Sequence, residues 1–196
     1  MNRYIAEFLG TFALAVAVGI SLPGKFPVPT PVIAALTLGV CVYTLGAISG
    51  THINPAITLG LASVGQIDLK SAAFYLAAQF AGGGLAMLVS NLMLNPRPPV
   101  TAVDSAAVFG AEALGAFFLA IGVASVVFAK APAPAAGLTI GGSLLLGISI
   151  AAPVSNGVLN PAVALGIGSF SAVYALGPIA GACVAMLLYR FLAGGK

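Results

Sequence analysis

The chain has 196 residues, of which 60% are hydrophobic and only 6% charged, with a net charge of +3 at neutral pH. A soluble domain carries about a quarter of its residues as charges, so this composition excludes a water-soluble globule and marks a single integral membrane domain. Seven basic residues scattered along the chain also exclude a nucleic-acid footprint, which leaves the lipid bilayer as the expected macroscopic partner.

In chain order, six apolar segments are long enough to cross a bilayer: residues 4–21, 31–49, 70–93, 106–129, 135–153 and 172–192. At about 1.5 Å per residue such helices reach roughly 27–36 Å, against a hydrocarbon core of about 30 Å. Turn chemistry separates them in "LPGKFPVPTP" (22–31), "NPRPP" (95–99) and "KAPAPAAG" (130–137). Within the last of these, "APAPAA" (131–136) reads as a short stiff linker. The first segment does not read as a cleaved signal peptide, because Glu7 interrupts its apolar core.

Six spans place both termini on one side. Arg3, Lys70, Lys130, Arg190 and Lys196 then share that side, with Lys25 and Arg97 opposite. By the positive-inside rule the termini are expected in the cytoplasm. The chain contains no Trp, so Tyr4, Tyr75, Tyr174 and Tyr189 are expected to serve as the interfacial aromatics.

The chain also repeats itself. "AEFLGTFALA" (6–15) matches "AEALGAFFLA" (111–120) at seven of ten positions, and "HINPAITLG" (52–60) nearly matches "VLNPAVALG" (158–166). Each half therefore runs from a Glu-bearing span through a second span to an Asn-Pro-Ala segment and a third span. Three spans per half is an odd number, so the second half enters from the opposite face as an inverted repeat. One channel domain is expected, with repeat 1 at residues 1–94 and repeat 2 at 105–196.

After Asn54 and after Asn160 only about ten apolar residues follow, enough helix for half a hydrocarbon core. Short interrupted helices at matched positions point to a transport site near the midplane. Asn is a favoured N-cap and Pro a favoured first helical residue. Asn54-Pro55-Ala56 and Asn160-Pro161-Ala162 are thus expected to start two half-helices whose positive ends converge. A capping Asn keeps its NH₂ donors for a lumen. The preceding "SGTHI" (49–53) and "SNGVL" (155–159) read as extended backbone, tolerated at membrane depth only along water or inside protein. Carbonyls of Gly50, Thr51 and His52, and of Asn156, Gly157 and Val158, would then line a pore suited to a single file of small neutral hydrogen-bonding molecules rather than ions.

These motifs resemble those of the aquaporins, the major intrinsic protein family, over nearly the whole chain. The resemblance rests on both boxes, "ISGTHINPAITLG", the two repeated Glu residues, "AAQFAGG" (77–83) and "GPIAG" (177–181). It implies an all-α membrane fold: a right-handed bundle of six transmembrane helices plus two half-helices, usually a homotetramer with one pore per protomer. It further implies that Glu7 and Glu112 accept N–H groups from the irregular segments, where an ionisable residue inside a span otherwise points to a proton relay. His52 sits where the family often has His, either packing the inner vestibule or gating it by pH. The Gly82-Gly83-Gly84 run, with Gly60, Gly166, Gly177 and Gly181, reads as close-packing surface.

The pattern departs from the family at one point. Most aquaporins carry Arg directly after the second box, and here that residue is Val163. Counted from the two Asn residues, the other filter positions fall on Ala34, Ile148 and Gly157. That ring has no charge, no aromatic and no side-chain donor. Small residues widen a constriction, while an apolar ring can also dewet. The family's unorthodox branch likewise lacks this Arg; the loop 94–104 is short and is not expected to rebuild the filter, though Arg97 could reach the mouth.

Cys41 and Cys183 sit in apolar runs and read as small hydrophobes. One His and four acids supply neither a metal cluster nor a nucleophile–base pair, so no enzyme, cofactor or metal site is expected. The sequence reads as a passive plasma-membrane channel for water that leaks small uncharged solutes through a wide apolar filter. Two alternatives stay open: a facilitator mainly for glycerol, ammonia or metalloid hydroxides, and a structural or adhesive protein with a vestigial pore.

Overall fold

The computed structural model describes residues 1–24, 27–95 and 100–194. Lys25, Arg97 and Lys196, used in the charge count above, lie outside the described residues. The described chain forms eight α-helices and no strand: α1 (Asn2–Ser21), α2 (Thr30–Ser49), α3 (Pro55–Ser63), α4 (Leu69–Met93), α5 (Ala106–Val127), α6 (Ala136–Ala151), α7 (Pro161–Ile167) and α8 (Ala172–Leu192). All but α3 and α7 belong to segments long and apolar enough to cross a membrane. The stiff linker resolves into a single 3₁₀ turn, Ala133–Ala135, leading into α6.

Local chemistry sets the helix ends. The Asp68 side chain accepts the Ser71 N–H at 2.9 Å to start α4, and Ser105 and Ser171 cap α5 and α8 in the same way. Hydrogen bonds from Ser71 hold the Asp68 carboxyl below the usual carboxylate range. Gly50 (φ 83°) closes α2 and Gly168 (φ 81°) closes α7, both in the left-handed region that glycine adopts without strain. The half-helices run nine and seven residues, shorter than the ten expected of each.

The element order of α1–α4 recurs in α5–α8, and the two halves interlock. Half-helix α3 packs on α8 of the other half, while α7 packs on α4 and α1. The same contacts recur one repeat apart. A methyl added at Gly10 would meet Ile53 and Leu45, and one added at Gly115 would meet the equivalent Leu159 and Ala151. With three spans in each half, the second is inverted relative to the first.

Missing side chains make the tightest helix pairs. A methyl at Gly82 would lie 2.5 Å from the Phe8 carbonyl oxygen of α1. At the matching Gly181 it would overlap the Ala113 carbonyl of α5, and at Gly83 the Ala162 carbonyl of α7. Gly84 is the exception in its run, since a methyl there meets nothing. In lipid, where apolar burial gives little drive to associate, such close backbone approach supplies much of the attraction. Gly181→Ala is therefore expected to destabilise the fold by on the order of 1–3 kcal/mol. Melting in detergent checks this, with Gly142→Ala as the reference because a methyl there has open space.

Two of the tyrosines assigned to the membrane interface are interior instead. Tyr75 and Tyr174 are 3% and 1% exposed, because each hydroxyl is drawn inward to a loop backbone as described below. Cys41 is buried, Cys183 half-buried, and both thiols are free.

Candidate functional site

The two Asn-Pro-Ala segments meet inside the bundle through reciprocal hydrogen bonds. Asn54 Nδ2 donates to the Leu159 carbonyl at 3.0 Å, and Asn160 Nδ2 donates to the Ile53 carbonyl at 2.9 Å. Each amide oxygen caps its own half-helix: Asn54 Oδ1 accepts from Ala56 N (2.9 Å), and Asn160 Oδ1 from Ala162 N (3.1 Å) and Val163 N (3.3 Å). Pro55 and Pro161 occupy the first helical turn, where no donor is needed. The sequence reading left both amide hydrogens of each Asn for a lumen. The crossing bond takes one, so a single N–H per Asn remains.

The backbone leading into each half-helix is not uniformly extended, contrary to the expectation. Thr51 (φ 51°), Ile53 (φ 38°), Gly157 (φ 60°) and Leu159 (φ 56°) all lie in the left-handed region, where non-glycine residues are uncommon. Such a path persists only when its surroundings over-determine it, and here a buried carboxylate does so in each half. Glu7 accepts from Ser49 Oγ (2.7 Å), His52 N (3.0 Å), Ile53 N (2.6 Å) and Gln79 Nε2 (2.8 Å). Glu112 accepts from Ser155 Oγ (2.7 Å), Val158 N (3.0 Å) and Leu159 N (2.7 Å). Both acids are fully buried. Ser49 and Ser155 also accept the N–H groups of Thr51 and Gly157. Tyr75 donates to the Ser49 carbonyl at 2.7 Å, while Tyr174 accepts from Asn156 N at 3.0 Å.

With the N–H groups held this way, carbonyl oxygens are left over. Among the described residues none donates to those of Gly50, Thr51, His52, Asn156, Gly157 or Val158.

Two cavities adjoin these segments. One, of about 190 Å³, is lined by Asn54 and Asn160, by Ala34, Ile148, Gly157 and Val163, and otherwise mainly by apolar side chains such as Leu14, Leu119 and Leu144. Ala34 and Val163 come from α2 and α7, Ile148 from α6 and Gly157 from the loop before α7, so residues far apart in sequence face one space. A methyl at Gly157 would lie 3.3 Å from Ile148 Cγ2. The second cavity, of about 570 Å³, is lined by Gly50, Ser49, Arg3, Gln66 and Tyr75, on the side where α1 begins. Thr51 and His52 line both. Asn156 and Val158 line the first cavity; Pro55, Ala56, Pro161 and Ala162 line neither and are buried at the helix starts.

Sequence reasoning missed several contributors. Ser49 and Ser155 stand at equivalent positions in "SGTHI" and "SNGVL", so the repeat itself carried that signal. Val100 lines the first cavity, and Asn156 Nδ2 ties its neighbour Thr101 through the carbonyl at 3.0 Å. No motif marked either residue.

Two half-helices that enter a six-span bundle from opposite faces and meet at paired Asn caps define a transmembrane channel. The model of the family described as Major intrinsic protein matches residues 1–189. Aquaporin NIP1-1 of Arabidopsis thaliana is 33% identical, the match covering 94% of this chain and 72% of that one. The probable aquaporin AqpM of Archaeoglobus fulgidus is 29% identical over 98% of this chain and 97% of its own. Among solved structures, the aquaglyceroporin from Plasmodium falciparum superposes with a TM-score of 0.74 at 20% identity, covering 98% of this chain and 95% of that one, a likeness of fold. The chain belongs to the major intrinsic protein family. It is a multi-pass membrane channel for water or small solutes and not an enzyme.

Proposed function

We infer that the chain is a passive channel for water that also passes small uncharged solutes. The reading rests on one observation: Asn54 and Asn160 line a single, largely apolar cavity, each with one amide hydrogen left after its crossing bond. Water or a solute hydroxyl accepts from these two donors and donates to the free carbonyls of residues 50–52 and 156–158. An ion stripped of its hydration finds too few partners there, and the positive ends of α3 and α7 disfavour cations at the same point. Glu7 and Glu112 act as the fixed supports of the two carbonyl rows.

Ala34, Ile148, Gly157 and Val163 form the outer ring. The lack of any charge, aromatic ring or side-chain donor in it also favours a second reading, a facilitator mainly for glycerol, ammonia or other small neutral solutes. The termini are assigned to the cytoplasmic face by the basic residues there, the membrane to the plasma membrane, and the assembly to a homotetramer with one pore per protomer. Stopped-flow light scattering on proteoliposomes separates the two readings. Water efflux far above protein-free vesicles, with slower glycerol and urea entry, is expected. Solute entry without accelerated water efflux would replace the first reading by the second, and neither flux would sink both.

A further inference from the structure

The outer ring carries no charge, no aromatic ring and no side-chain donor, which raises the question of where solutes are selected. The two cavities share four lining residues, Thr51, His52, Val123 and Ile140. These four residues stand where the two cavities adjoin, at an inner neck of the lumen.

The inverted repeat allows each neck residue to be compared with its own image on the outer side. Ile140 corresponds to Ala34, Thr51 to Gly157 and His52 to Val158 at one constant spacing, and Val123 corresponds to Val18. Every image lines the outer cavity. At three of the four positions the inner residue is bulkier, or polar, or both. Of the two sets compared the inner one is thus the bulkier, although Ile148 of the outer ring is itself larger than its image Val42.

Backbone conformation makes the same point independently. Thr51 and its image Gly157 both sit in the left-handed region, at φ 51° and φ 60°. Glycine adopts that region freely, whereas a β-branched residue there is a strained outlier. Thr51 is nevertheless held in place, its Oγ1 donating to the Cys41 carbonyl at 3.2 Å and its N–H to Ser49 Oγ at 3.1 Å. His52 is fixed as well. Its Nδ1 lies 3.2 Å from Thr58 Oγ1, and its ring packs on Tyr75 at 4.9 Å between centroids. That leaves Nε2 as the ring atom free to meet a solute, since no described residue bonds it.

We propose that the size limit for solutes is set at this inner neck, by Ile140, Val123, Thr51 and His52, and not by the outer ring. The proposal rests on the channel reading above and assigns its selecting element. The neck's class of solute is a small, linear, uncharged hydroxyl compound that passes two apolar side chains while one hydroxyl meets His52.

The test compares glycerol with the longer polyol xylitol in proteoliposomes, water efflux being recorded alongside. Ile140→Ala is expected to raise xylitol entry relative to glycerol by roughly tenfold, the scale on which a change of a few methyl groups alters discrimination in an apolar site. Ile148→Ala in the outer ring is expected to raise that ratio less. Val123→Ala, on a different helix, repeats the measurement should Ile140→Ala fail to fold. A larger response from Ile148→Ala, or no response from either neck variant, overturns the proposal while leaving the channel reading intact. A wild-type protein that passes neither water nor glycerol overturns the channel reading, and the neck falls with it.

Discussion

Replacing Asn160 by Leu is expected to lower the osmotic water permeability of proteoliposomes to that of protein-free vesicles. Asn160 has three simultaneous roles: it caps α7 through Ala162 and Val163, it binds the Ile53 carbonyl across the repeat boundary, and it lines the lumen. Leu removes the cap, which is worth about 1 kcal/mol. It also leaves buried backbone groups without partners, at about 1–3 kcal/mol each. In addition it puts an apolar side chain where the single file needs a donor. Because the residue is 3% exposed and lines the cavity, a Leu side chain there is expected to project into the lumen. Asn160→Ala separates the effects, since it removes the donor but leaves the lumen open. Its water flux is expected to lie between those of wild type and Asn160→Leu. Unchanged water flux in the Leu variant, at equal reconstituted protein, would show that water does not pass between the paired Asn residues.

How much of this was legible in the chain depends on the range of the interaction concerned. The six spans were readable because each is set by apolar length and by local stop signals, and α4 at Leu69–Met93 differs from the expected 70–93 by one residue. The inverted repeat was readable because both Glu residues and both Asn-Pro-Ala boxes recur at nearly constant spacing. The crossing of the Asn amides was not. It links Asn54 to Leu159 and Asn160 to Ile53, a pairing that exists only once the half-helices meet.

The tyrosines misled for a related reason. Tyr75 and Tyr174 stand near span ends, where an aromatic ordinarily marks the lipid interface. Their hydroxyls find loop backbone instead. The repeat also slips in its third spans. Gly82 and Gly181 play the same packing part at a spacing shorter than that of the Asn boxes. Aligned on those glycines, Gln79 corresponds to Pro178. Gln79 donates to both Glu7 and Thr58, whereas Pro178 has no side-chain donor, so the two acids are supported unequally. A single alignment of the halves hides that asymmetry.

Val163→Arg tests the outer ring directly, and the expected result is a fall of roughly tenfold in the ratio of glycerol entry to water efflux, a discrimination typical of one group gained in a small site. Val163 is 3% exposed and lines the outer cavity beside Ala34, Ile148 and Gly157. Ala34 and Gly157 offer little bulk, so a longer side chain has room to extend towards them. Arginine brings five N–H donors, and the carbonyls of Asn156 and Gly157, which no described residue bonds, stand on the adjoining loop to receive them. One cost opposes the change. A cation in the first turn of α7 faces the positive end of that half-helix, an unfavourable term of about 0.3–1 kcal/mol, and melting in detergent measures whether the fold tolerates it. Water, needing the smaller opening, is expected to lose less than glycerol. The added fixed charge should also reduce any proton leak, read from a pH-sensitive dye inside the same vesicles. An unchanged glycerol-to-water ratio in a well-folded Val163→Arg protein would mean that residue 163 does not border the solute path, and the outer ring would have to be redrawn. A lowered ratio would instead place residue 163 on the solute path and show that the native chain lacks the narrowing that arginine supplies there.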